Sequence, residues 1–173
     1  MSAVLAAAWS VRPASQAEAA LLHEVFGSAL DVSRLRIWSC PVLNWTTRRA
    51  FCAGGWLWPG KGLILYPTKA ALADFTAAGT PISATATFIH ECTHAAQSQA
   101  GVNLLWAKLK AGDSDDSYRY ALGPDSRWEG LNIEQQAMVV EHAFLCRRRR
   151  KTPYGLEAYG AVCPYPVACA DDG

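Results

Sequence analysis

The sequence predicts an α+β fold: a small mixed or antiparallel sheet packed on one long helix, with a second helix crossing that one. Three observations predict it. An Ala-rich, mostly apolar run carries His90-Glu91-Cys92-Thr93-His94, and its spacing suits a helix. Two short stretches, Arg34 to Cys40 and Gly62 to Tyr66, alternate or run apolar as strands do. Asn132 to Arg147 reads as a further strong helix. The chain of 173 residues is long enough for a real core, and no internal repeat or low-complexity linker divides it. The expectation is one domain over residues 1–173, irregular from about residue 151.

Met1 to Trp9 is apolar but short, lacks a charged n-region and soon meets Arg12-Pro13, so a cleavable signal peptide is not expected. Gln16 to Phe26 reads as the first helix. Ala19, Ala20, Leu22, Val25 and Phe26 form its buried stripe, and Gly27 ends it. From Arg34 to Cys40, Leu35, Ile37 and Ser39 alternate with Arg34, Arg36 and Trp38, as on a half-buried strand. Asn44 to Gly55 is irregular. Trp56 to Trp58 and Gly62 to Tyr66 read as a β-hairpin turned by Pro59-Gly60, and Pro67 closes its second strand. Lys69 to Phe75 reads as a short helix.

The motif helix is expected to start with Thr80 as N-cap and Pro81 in the first turn, to run to about Ala100, and to stop at Gly101. Phe88, Ile89 and Cys92 then point into the core. Residues 102–130 read mostly as loop. Asp113, Asp115 and Asp116 within it lack the Gly and Glu of a calcium loop. The last strong helix runs from Asn132 to about Arg147, and Pro153, Pro164 and Pro166 make the tail irregular.

Hydrophobic residues at 51% against 18% charged indicate a globular chain. A net charge of +1 supplies no field for nucleic acid or an anionic membrane. Arg147 to Lys151 follows a helix, where cations favourably meet the negative end of the dipole, so it reads as a solvated helix end. No apolar run approaches the roughly 18 residues of a membrane span. Cytoplasmic synthesis follows, and export by a route without a signal peptide is compatible with it. The cysteines at 40, 52, 92, 146, 163 and 169 match no four-Cys zinc site. Buried free thiols are expected, with Cys163–Cys169 and Cys40–Cys52 as the pairs to test for bridging.

On a helix, residues four apart share a face, so His90 and His94 can reach one metal ion. Glu91 lies beside the first and can orient and deprotonate a metal-bound water. A catalytic zinc takes three protein ligands. The extended H-E-x-x-H-x-x-G-x-x-H class is excluded, because Gln97 and Ala100 replace its Gly and last His. A carboxylate on a later helix is the other source. Glu134 sits in a first helical turn, where a carboxylate is favoured, and small Ala137 one turn on would allow close packing. Glu141 and Glu129 are the rivals for this place. Cys92, roughly 200° round the helix from His90, faces away. Tyr118, Tyr120 and His142 are candidate donors to an oxyanion, and Gln97 lies on the ligand face. Gly62 to Tyr66 is the candidate edge for an extended substrate, with Trp56 and Trp58 as subsite candidates.

His90-Glu91-x-x-His94-x-x-Gln97, Tyr118-Arg119-Tyr120 and Asn132-x-Glu134-Gln135-Gln136-Ala137 together resemble a family of small bacterial vgr-related or Rhs-associated zinc metallopeptidases of the gluzincin type. Val25-Phe26-Gly27 and Arg34-Leu35-Arg36-Ile37 fit too, so the resemblance spans roughly residues 16–146. It implies a zincin-like fold, Zn2+ on His90, His94 and Glu134, Glu91 as catalytic residue, a peptide or protein substrate, and a link to contractile secretion or phage-like particles. The chain departs from the family at His142, where an acidic residue is usual, and at Ala95 and Ala96, where a bulkier one is. The expected activity is peptide-bond hydrolysis by a Glu-activated, zinc-bound water. The alternatives are a catalytically inactive zincin-fold adaptor or structural piece of such a particle, and a zinc ion acting as a structural clamp.

Overall fold

The computed structural model describes residues 3–46, 49–54, 61–112 and 114–168. Among them the chain forms a mixed α+β fold with a small four-stranded sheet and six α-helices. The strands are β1 (Val11–Arg12), β2 (Leu35–Ser39), β3 (Phe51–Cys52) and β4 (Gly62–Tyr66). The helices are α1 (Gln16–Phe26), α2 (Ile82–Gln99), α3 (Leu104–Ala111), α4 (Asp115–Tyr118), α5 (Ile133–Arg147) and α6 (Leu156–Gly160). The sheet order is β1-β2-β4-β3. β2 and β4 pair in parallel, Leu35 opposite Gly62 and Ser39 opposite Tyr66, while β1 and β3 lie antiparallel on the edges.

Side-chain alternation gives the sheet two covered faces. Leu35, Ile37, Ile64 and Tyr66 join the main core with α2. Leu63 and Leu65 turn the other way, into a smaller cluster with Cys40, Leu43, Trp38 and Phe51. β4 is therefore buried on both faces, which explains its uninterrupted Gly-Leu-Ile-Leu-Tyr run. Gly62 sets the distance to α2. A Cβ there would lie 2.6 Å from the Ala95 Cβ and 2.8 Å from Leu35 Cδ1.

α2 is the centre of the molecule, packed between β4 and α5. Every residue from Phe88 to Ser98 is buried, including six polar ones. Gly101 ends the helix region at φ +92°, a conformation glycine adopts freely. α1 opens on a capping box between Ser15 and Glu18. The Glu18 carboxylate is fully buried yet satisfied, by Arg12 Nη1 and Nη2 (2.6 and 2.8 Å) and the amides of Ser15 and Phe75 (both 2.8 Å). This ties three segments of chain together.

Several expectations are corrected. The antiparallel partner of β4 is Phe51–Cys52, within the stretch read as irregular. The Trp56–Gly60 arm of the expected hairpin lies outside the described residues, as does Asp113. Lys69 to Phe75 is not a helix. Its backbone is drawn into contacts with the N-terminal segment, Ala6 N donating to Ala71 O (2.7 Å) and Ala73 N to Val4 O (2.9 Å). Thr80 does not cap α2; Pro81 holds that place without a side-chain bond. Residues 102–130 contain two helices, α3 and α4, rather than loop alone. The tail also contributes to the core: α6 and the turn at Pro166–Ala168 bury Tyr159, Val167 and Ala168 against α5 and α1.

Cys40 and Cys52 are both free thiols. They sit in the two different clusters, on opposite faces of the sheet, so they cannot bridge. Burial pushes the Cys52 thiol up to about 12. Cys169 lies outside the described residues, and with it the pairing to Cys163. The basic run is anchored at its start: Arg147 Nε donates to Val167 O (2.6 Å) and Arg148 pairs with Glu24 (3.1 Å). Among the described residues no helix is long and apolar enough to cross a membrane.

Gly62→Ala drives a methyl group into α2. Overpacking of this kind costs about 1–3 kcal/mol, and urea denaturation should show that loss. An unchanged midpoint would mean that β4 and α2 separate freely.

Candidate metal centre

The site is built on the α2–α5 contact. One turn of α2 separates His90 from His94, so their rings share a face, with centroids 5.1 Å apart. α5 begins opposite them. Asn132 caps it by accepting from the amides of Glu134 and Gln135 (both 2.9 Å), and Gln135 closes a capping box. That cap fixes the first turn and aims Glu134 at the two imidazoles. Glu134 Oε2 lies 3.3 Å from His90 Nε2 and 3.1 Å from His94 Nε2. One donor atom from each residue lies within 4.8 Å of the others, an arrangement that can hold a metal ion.

Electrostatics make a cation the natural occupant. Gln97 Nε2 donates to Gln136 Oε1 (2.8 Å) and Ile133 O (3.2 Å), which turns Gln97 Oε1 toward His94 Nδ1 at 2.8 Å. Gln136 in turn donates to Trp128 O (2.9 Å). His94 Nδ1 therefore carries the proton. With Nδ1 so engaged, His94 Nε2 faces the Glu134 carboxylate, as His90 Nε2 does, and either a ring proton or a shared cation makes these contacts favourable. Zinc bonds of about 2.0–2.2 Å give a tetrahedral donor–donor edge of about 3.3–3.6 Å; the His90 separation of 3.3 Å falls in that range and the His94 separation of 3.1 Å lies just below it. The donor set of two imidazoles and a carboxylate fits zinc.

The carboxylates also act on each other's partners. Burial opposes a charge on His90, but the Glu134 and Glu141 carboxylates outweigh it and lift its pKa to about 9. Burial likewise opposes ionisation of Glu134, yet the two imidazoles and Lys108 hold its carboxyl far below the ordinary range. Lys108 Nζ sits 3.3 Å from Glu134 Oε1. Burial works against its charge, and the nearby Glu91 and Glu134 carboxylates prevail, raising its pKa.

The structure separates the rival carboxylates. Glu141 Oε2 meets His90 on the other ring nitrogen, Nδ1, at 3.1 Å, and so braces the ring from behind. Glu129 lies on a different surface, beside Lys110 and Asn132. Cys92 is fully buried in the core, away from the cluster. Glu91 follows His90 into the cleft, and its Oε2 is buried with no hydrogen-bond partner among the described residues.

Two adjoining pockets open beside the cluster. One of about 370 Å³ is lined by His90, Glu91, Tyr66, Met138 and Glu141 among others. The other, about 460 Å³, is lined by Phe51, Leu105, Lys108, Leu109 and Glu134 among others. Arg49, Ala50 and Tyr118 border both. Tyr118 also lies over His90, ring centroids 6.3 Å apart and planes inclined by 29°. Tyr120 and His142 are elsewhere: Tyr120 Oη and His142 Nδ1 meet at 2.6 Å beside Tyr154 and Tyr159, and neither lines the cleft. Gly62 to Tyr66 is not a free edge, because β2 and β3 occupy both its sides. β3 is the edge strand at the cleft. Sequence reasoning missed Lys108, because α3 was read as loop; Asn103, whose side chain accepts from Trp106 N, is the cap that marks that helix.

Fold and cluster together define a mixed α+β protein with a His-His-Glu site able to hold a metal ion. No family model matches the chain. It is 30% identical over 138 residues to the type VI secretion system spike protein VgrG2b of Pseudomonas aeruginosa. That match takes in 78% of this chain but 13% of the spike protein, so the chain spans a small part of that relative's length. In structure it is similar to the effector domain of Pseudomonas aeruginosa VgrG2b, with a TM-score of 0.63 at 28% identity, covering 83% of this chain and 78% of the other. These similarities link the chain to type VI secretion through an effector domain.

Gln97→Leu removes the acceptor that fixes the His94 tautomer. Zinc affinity, measured by chelator competition, should fall about 10–100-fold with the helical signal intact. Unchanged affinity would show that the Gln97–Gln136 relay does not support the site.

Proposed function

We propose that this chain is a zinc-dependent metallopeptidase, a secretion-associated effector domain of zincin-like fold, with His90, His94 and Glu134 as the metal ligands. The observation that carries the proposal is the convergence of two Nε2 atoms on one buried carboxylate oxygen, next to a second carboxylate whose Oε2 has no partner among the described residues. The similarity to a VgrG2b effector domain supports delivery by a secretion system that uses no signal peptide.

A bound zinc ion supplies Lewis acidity, polarising a carbonyl and lowering the pKa of water toward about 7. The chain's own groups do the rest. Glu91 holds the attacking water through its free carboxylate oxygen and takes its proton as the water oxygen bonds to the carbonyl carbon. The C–N bond then breaks, and Glu91 returns that proton to the leaving nitrogen. Glu141 braces His90, and Gln97 braces His94, so the ligands need no rearrangement. The extended substrate lies along β3. Ala53 N donates to Leu63 O (2.8 Å), so by alternation the backbone of Ala50 and Cys52 turns toward the other side.

An inactive adaptor is the competing reading. It gives no reason to retain Glu91, because a buried oxygen without a partner costs about 1–3 kcal/mol. A structural clamp would close the fourth coordination position with a protein ligand, whereas the cluster borders two pockets.

Glu91→Gln separates the readings. The variant should bind zinc as tightly as the parent chain, and cleavage of a peptide library by mass spectrometry should fall by at least about 100-fold. Equal cleavage by both would defeat this mechanism.

A further inference from the structure

Lys108 has no part in the reaction as drawn so far, yet it stands at its centre. It extends from α3 along the wall of the larger pocket and reaches Glu134 Oε1 at 3.3 Å. Glu134 Oε2 is the oxygen that faces both imidazoles. The two oxygens of one carboxylate are thus claimed by an ammonium on one side and by the metal position on the other. With a divalent cation on Oε2, two like charges lie a carboxylate apart, and both sit in a cleft partly shielded from water. An anionic oxygen reaching both of them relieves that repulsion. Leu105 and Leu109, which flank Lys108 on α3, and Phe51 make part of the surrounding wall apolar, while Arg49 and Tyr118 border the same pocket. Lys108 is the cation whose contact with Glu134 places it beside the two imidazoles.

Resting on the metallopeptidase reading, we infer that Lys108 is a catalytic residue that binds the substrate's carbonyl oxygen as it gains negative charge. As the water oxygen bonds to the carbonyl carbon, the C=O π pair moves onto that oxygen. Lys108 donates a hydrogen bond to it and keeps its own proton. The pair returns to the C–O bond when the C–N bond breaks, and the proton held by Glu91 leaves with the nitrogen. Tyr120 and His142, whose hydroxyl and Nδ1 are engaged with each other, are not needed for this task.

The test uses the full chain reconstituted with zinc, and the variants Lys108→Met and Lys108→Arg. Zinc affinity is read by chelator competition, and binding of methylphosphonate, a small tetrahedral anion, by calorimetry. Lys108→Met should hold zinc as tightly as the parent or more tightly, because a neighbouring positive charge is gone. Its methylphosphonate affinity should drop about tenfold or more, and its kcat on a cleaved peptide about 100-fold with KM little changed. Lys108→Arg should recover most of the anion binding. Parental methylphosphonate affinity in Lys108→Met overturns the inference. Loss of zinc from that variant also overturns it, because Lys108 would then be a prop for Glu134. If the parent chain itself holds no zinc, the metallopeptidase reading falls and takes the inference with it. A parent that holds zinc but cleaves no tested peptide leaves the anion measurement to decide.

Discussion

A carboxylate buried between two imidazoles is the constraint on which the rest of the molecule depends. Taking an ionised carboxylate out of water costs several kcal/mol unless opposite charge surrounds it. Glu134 is 3% exposed, and its two oxygens are met by His90, His94 and Lys108. To assemble that shell, α5 must begin where Asn132 starts it, α2 must present one turn of its face, and α3 must follow closely behind. Each has its own device: the Asn132 capping box, the Gly62–Ala95 approach that seats α2 on the sheet, and the Asn103 cap on α3. Ala137 and Ala143, both fully buried, let α5 lie close to the rest of the core. Four of the polar residues buried in α2, His90, Glu91, His94 and Gln97, belong to the cluster or brace it, while Thr85 and Thr93 bond backbone carbonyls.

Much of this was legible in the sequence because it obeys periodicity. His90 and His94 at helical spacing, Glu134 behind a capping signal, and Gln97 on the ligand face are all arranged by rules that act within a few residues. The alternation in β2 was equally readable, and so was the α+β class. What escaped is set by contacts distant in sequence. β3 is two residues long and exists only because β4 offers it an edge. Residues 69–75 do not form a helix, because the N-terminal segment and Glu18 take their backbone groups. α3 carried no buried stripe to read: Leu105, Trp106 and Leu109 are exposed, and two of them line the cleft instead of the core. Tyr120 and His142 could not be told from active-site donors, since only the tertiary fold shows them facing each other.

Glu141 shows how sequence logic and geometry divide the work. It shares a helix face with Glu134, and spacing alone made it a rival ligand. The fold gives it the opposite nitrogen of His90, so the same imidazole is held between two acids. One acid faces the metal position and the other sets the ring's orientation and basicity. Gln97 and Glu141 thus brace the two imidazoles from within the packed helices α2 and α5.

The most direct test of the central claim is X-ray absorption at the zinc edge, on the chain loaded with one equivalent of metal. Two imidazoles with further oxygen donors, all at about 2.0–2.2 Å and without sulfur, is the shell that His90, His94 and Glu134 predict. A sulfur shell near 2.3 Å, or fewer than two imidazoles, would contradict it.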